Sequence, residues 1–190
     1  MANYDTVSGE RWGLGAEKGG LAIRTLINII DTISEWTGRF AVWALVVVVG
    51  IIVYEVITRR VFGSPHVWTY EIITFFYGFH FMILAAYTLL HKGHVAIDII
   101  YIRFSPKKQA VLDLVTYLFF FFPFVIILLY VGFDNAVASW ATGEKTLTAR
   151  LPLVLPGMKT VTPIAALLLL LQGFSIFYRR LFFLTKGREL

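Results

Sequence analysis

Apolar residues in this chain fall in runs rather than in alternation. Four runs reach the roughly 20 residues that a bilayer-crossing helix needs. They are 40–58, through AVWALVVVVGIIVY; 68–90, through IITFFYGFHFMILAAYTLL; 114–133, which carries no charge; and 160–178, through PIAALLLLLQGFSIFY. Continuous runs predict helices, because membrane strands alternate apolar and polar positions. The pattern therefore predicts an all-α integral membrane protein with four transmembrane helices and additional interfacial amphipathic helices.

The first of those lies over 21–36. Leu26, Ile27, Ile30 and Ile33 are interleaved there with Arg24, Asn28, Asp31 and Glu35. Joined to the first span, this segment would make a helix of about 40 residues, or about 60 Å at 1.5 Å per residue. That is about twice the hydrocarbon thickness. A bend near Gly38 is expected, with the first part lying along the membrane surface. The connection after the second span, HKGHVAIDIIYIRFSPKKQ, places Val95, Ile99 and Ile102 on one face and predicts a short interfacial helix. Ser105 and Pro106 then read as the N-cap and first residue of the next helix. Pro123 is expected to kink it. Pro152, Pro156 and Gly157 argue against helix in the second half of the connection 134–159. The expected organisation is a polar tail over 1–20, an interfacial helix over 21–38, a four-helix membrane domain over 39–184 and a tail over 185–190.

Composition agrees. The chain has 190 residues, 58% hydrophobic and 15% charged, with a mean hydropathy of +0.74. Soluble domains average about 45–50% apolar and about 25% charged, so a water-soluble globule is excluded. The net charge of +5 reads as anchoring to an anionic leaflet rather than nucleic-acid binding. With no cysteine, disulfides, thiol catalysis and cysteine-held metals are excluded. The first 20 residues lack the apolar core of a secretory signal. Of 17 Lys and Arg residues, only Arg59, Arg60, Lys145, Arg150 and Lys159 flank the ends opposite the termini. Both termini are thus expected in the cytoplasm.

Polar residues near or inside the spans are the candidates for chemistry. Glu55 and Arg59 lie four apart at the outer end of span one, Arg60 follows, and Glu71 opens span two. A local ion-pair network of Arg59, Arg60 and Glu71 is expected, against a partner-facing cluster or a proton or ion relay. Ile73, Tyr77, His80, Leu84, Tyr87 and His91 recur at spacings of four and three and share one face of span two. Lipid would be a costly neighbour for His80, so this stripe is expected to face protein, within the subunit or in a partner. Bis-histidine haem needs two histidines at similar depth on facing helices, and only His80 of His66, His80, His91 and His94 is deep. His91, His94 and Asp98 have loose metal-ligand spacing without a fixed architecture. There is no nucleophile–base pair, Walker motif, dinucleotide glycine pattern or internal repeat. No cofactor, metal or enzymatic site is expected.

The combination YEVITRRVFGSPHVWTYEIITFF, GHVAIDIIY and SPKKQAVLDL resembles the small membrane subunit, DctQ type, of tripartite ATP-independent periplasmic (TRAP) transporters. The matching features are an E-x-x-x-R end to helix one (Glu55, Arg59) and a short loop to W-x-x-E (Trp68, Glu71). After helix two comes a G-H-V-x-I-D motif with His94 and Asp98. The resemblance implies an inner-membrane subunit that scaffolds a large DctM-type membrane subunit. The large subunit would carry, by sodium symport, an organic acid delivered by a periplasmic substrate-binding protein. Membrane lipids are the remaining partners, and nucleic acid is not one. Two alternatives stand beside it: an anchor of a membrane redox enzyme, which visible absorbance would reveal, and an autonomous small transporter, which flux from the chain alone would reveal.

Overall fold

The computed structural model describes residues 5–91, 104–146 and 151–186, with side chains from residue 23 to 185 within them. Among these residues there is no strand. The helices are α1 (Asp5–Val61), α2 (Val67–Leu90), α3 (Pro106–Thr116), α4 (Phe122–Thr142) and α5 (Val154–Lys186), with a π-helical turn, Tyr117–Phe121, joining α3 to α4. Four stretches are long and apolar enough to cross a membrane: Ile23–Val61, Val67–Leu90, Pro106–Thr142 and Val154–Thr185.

α2 packs between α1 and α5, and α5 in turn packs between α2 and the α3–α4 unit. α5 touches every other helix. It is also the most covered: 39% of its most apolar stretch is buried, against 17%, 17% and 11% for the other three spans. α5 is therefore the axis of an open array whose remaining apolar surface faces outward. Lipid removes the hydrophobic drive between helices, so contact relies on close approach of small residues. Ala41, Ala165 and Ala166 are almost fully covered, and Ala41, Ile83, Val161 and Ala165 form the core where α1, α2 and α5 meet.

α1 runs unbroken through Gly38, so 21–38 is not a separate element with a bend at its end. Gly38 serves contact instead. A Cβ there would lie 2.3 Å from Cδ2 of Tyr87, so the missing side chain is the socket for that ring. At 57 residues, α1 is about 86 Å long. Between residues 31 and 41 it is tied to α2 and α5, as described below.

Helix α3 opens at Pro106 with Ser105 at the N-cap. Where a kink at Pro123 is expected, the third span has a π-turn just before the proline. Pro123 cannot donate to the carbonyl four residues back, and a π-turn absorbs the misfit. The turn also aims Phe121 at Gly173 of α5, where a Cβ would lie 2.2 Å from the ring.

The expected long connection 134–159 is much shorter. α4 continues to Thr142 and stops at Gly143, which has φ +60°. Its N–H bonds the Trp140 carbonyl at 3.4 Å, and the Glu144 N–H bonds the Ser139 carbonyl at 3.2 Å, a Schellman-type stop. α5 then begins at Val154 and takes in Pro156 and Gly157. Pro156 falls in the first turn, where a backbone donor has no helical acceptor to miss. The segment around 92–103, with its expected interfacial helix, lies outside the described residues.

Candidate functional site

Two consecutive arginines near the end of α5 reach in different directions. Arg179 binds Asp31 of α1, and Arg180 Nε donates to Asp113 Oδ2 of α3 at 2.9 Å. The central helix is thereby tied to both outer elements at the end of the array that carries the termini. Asp31 is also the acceptor for Gln172 Nε2 and for Ser175 Oγ, each at 3.0 Å. Ser34 Oγ donates to Gln172 Oε1 at 2.8 Å. Ser34, Gln172 and Ser175 are buried, Gln172 completely.

Helical spacing brings these groups together. Asp31, Ser34, Gly38 and Ala41 stand three, four and three apart and form one face of α1; Gln172, Ser175 and Arg179 do the same on α5. In the sequence, Asp31 is one of the polar positions of an expected interfacial helix, and Gln172 is given no role. The signal available was the stripe itself: polar side chains inside a span need partners. The nearest stripe of matching polarity is on the amphipathic start of α1.

A second tie joins α1 to α2 at the same end. Glu35 accepts from Arg39 Nε at 2.9 Å through Oε1, and its Oε2 lies 2.8 Å from His91 Nε2. Tyr87 packs on His91, with ring centroids 4.4 Å apart, and fills the Gly38 socket. Two helix turns deeper along α2, His80 Nδ1 donates to the Ala41 carbonyl at 2.8 Å. His80, Tyr87 and His91 of the expected stripe therefore face α1 within the subunit, whereas Tyr77 is 59% exposed.

At the opposite end the acid that holds Arg59 is Glu55, at 3.2 Å. Glu55 also accepts from the His66 backbone N–H at 3.2 Å, closing the α1–α2 connection. Tyr54, His66 and Trp68 gather beside it with ring centroids 5.7 to 6.2 Å apart. Glu71 is buried and Arg60 exposed. His94 and Asp98 lie outside the described residues. No three His, Cys, Asp or Glu side chains among the described residues cluster closely enough to hold a metal.

Here too the α4–α5 connection has its own tie, which the sequence reading did not anticipate. Lys159 and the Ser139 hydroxyl both donate to Glu144 Oε2, Ser139 at 2.7 Å, and Trp140 Nε1 donates to Thr160 Oγ1 at 2.9 Å. The Lys159 hydrogen bond, then that of Ser139, hold the Glu144 carboxyl below its ordinary value of 4.5. A carboxylate with a lowered folded-state pKa stabilises above its unfolded value, and the contribution fades as pH falls through the lowered one. The melting-temperature gap between wild type and Glu144→Gln is therefore expected in full above pH 4.5 and should close on further acidification. A gap that does not change with pH would contradict the tie.

His66, His80 and His91 each lie against a group of the subunit itself, and the buried Ser34, Gln172 and Ser175 pair between α1 and α5 rather than converge on an open chamber. A model of the DctQ component of tripartite ATP-independent periplasmic transporters matches residues 48–183. The chain belongs to the DctQ family. No curated protein matches it. As a DctQ protein it is a multi-pass transmembrane component of a TRAP transporter. The matched region contains Gln172, Ser175, Arg179 and Arg180, whereas Asp31, Ser34, Glu35 and Gly38 precede it. The first half of α1 is therefore bound to the family domain through the inter-helix ties.

Proposed function

We propose that this DctQ protein is the small permease subunit that scaffolds a large DctM-type subunit. The large subunit carries an organic acid, driven by a sodium gradient, after delivery by a periplasmic binding protein. Both termini are cytoplasmic, so the Arg179–Arg180 ties lie at the cytoplasmic end and Glu55 and Glu144 at the periplasmic end. The observation that supports this reading most is the open array: four spans, with the most covered only 39% buried, leave broad helix faces for a protein neighbour. The buried Ser34, Gln172 and Ser175 are engaged with one another or with Asp31, which suits a scaffold.

Two measurements test it. Single cysteines at Ser8, Thr142 and Thr185, introduced into this cysteine-free chain, address the orientation. An impermeant thiol reagent applied to intact cells should label only position 142; labelling at position 8 would reverse the topology. A thermal-shift series with sodium and organic acids addresses the role. The isolated subunit should show no saturable shift, and a saturable shift would assign the ligand site to this chain.

A further inference from the structure

The face of α3 turned away from α5 carries a shallow, open groove lined by Phe104, Lys107, Lys108, Val111, Leu112 and Val115. Its two halves differ in chemistry. Val111, Leu112 and Val115 are 45–50% exposed and make an apolar floor. At the other end stand Lys107 and Lys108, both exposed, whose methylene stems line the groove. Lys107 and Lys108, like Arg60 and Lys145, form no ion pair with a carboxylate among the described residues, whereas Arg179 and Arg180 at the same end of the array do. Asp113, the acid on the same helix, is engaged by Arg180.

We propose that this groove is a binding site for one anionic phospholipid, its phosphate between Lys107 and Lys108 and one acyl chain along Val111, Leu112 and Val115. From Lys107 to Val115 the helix rises about 12 Å, within the roughly 15 Å that one leaflet contributes to the hydrocarbon. The chain thus lies in the apolar layer while the lysines snorkel to the headgroups. A soluble anion would leave the apolar floor unused. A zwitterionic headgroup would bring its own cation against the lysine pair. An anionic headgroup with an acyl chain satisfies both halves. The site lies on the third span, the least covered of the four at 11%, so the lipid extends the surface that this span presents.

The test is native mass spectrometry of the full purified chain, titrated with phosphatidylglycerol or with phosphatidylcholine of the same acyl chains. A saturable single adduct favouring phosphatidylglycerol is expected. Lys107→Gln/Lys108→Gln should weaken it about tenfold to thirtyfold, the loss of two near-surface cations. Val111→Ser/Val115→Ser should weaken both lipids, and Lys145→Gln, an exposed cation at the far end, should change neither. The lysine variant's lipid-free melting temperature should equal wild type, which separates loss of binding from loss of fold. Equal binding of the two lipids, an equal loss in Lys145→Gln, or displacement of the lipid by millimolar inorganic phosphate would overturn the site.

Discussion

Replacing Asp31 by alanine should destabilise this subunit by about 2–3 kcal/mol, while asparagine at the same position should cost under about 1 kcal/mol. Asp31 receives hydrogen bonds from Gln172, Ser175 and Arg179. Interhelical hydrogen bonds in membranes average about 0.6 kcal/mol each. Alanine removes three, and it also strands Gln172 and Ser175, which are 0% and 1% exposed; an unsatisfied buried group costs about 1–3 kcal/mol. The Arg179 side chain is 43% exposed, so the charge itself adds little. Asparagine keeps one acceptor oxygen for Gln172 and Ser175 and loses the charge together with the exposed Arg179 hydrogen bond, since its amide NH2 cannot accept. Equilibrium unfolding in mixed detergent micelles measures both. Equal damage from the two substitutions would show that charge, not hydrogen bonding, holds α1 to α5.

The second large effect is steric, with opposite signs at different glycines. At Gly38 an added Cβ meets Tyr87 Cβ at 2.6 Å as well as the ring, so Tyr87 cannot simply swing aside. At Gly173 it meets the Phe121 ring, which the π-turn holds in place. Overpacking of this kind costs about 1–3 kcal/mol, and Gly38→Ala and Gly173→Ala should each show it. Gly50 has nothing within 4 Å of such a Cβ. Gly50→Ala should therefore stabilise, by about 0.5–1 kcal/mol, through helix propensity alone. Three melting curves decide this. If all three substitutions proved neutral, the helix contacts would be looser than the sockets require.

The four spans were legible because their apolar runs match bilayer thickness, and Ser105–Pro106 marked a helix start by local chemistry alone. What was not legible depended on tertiary contact. Gly38 reads as a hinge in sequence, since glycine weakens helices; only Tyr87, 49 positions away, makes it a socket. Pro156 and Gly157 read as loop, yet a proline in the first turn costs no hydrogen bond. Of the candidate residues, His80 and His91 were expected to face protein, and both face α1. The Asp31–Gln172 network was missed because its halves lie at opposite ends of the chain, each ambiguous alone. Lys159 entered the sequence reading only as a charge for orientation, and Glu144 beside its connection gave it a partner.

The central claim is that transport belongs to the assembled complex and this subunit supports it. Proteoliposomes test that most directly. Sodium-gradient-driven organic acid uptake, with the periplasmic binding protein supplied, is measured with this chain alone, with the large subunit alone and with both. Uptake should require the two membrane subunits together and be absent from vesicles holding this chain alone. Saturable, sodium-dependent uptake by this chain alone would contradict the scaffold account and make it a carrier in its own right.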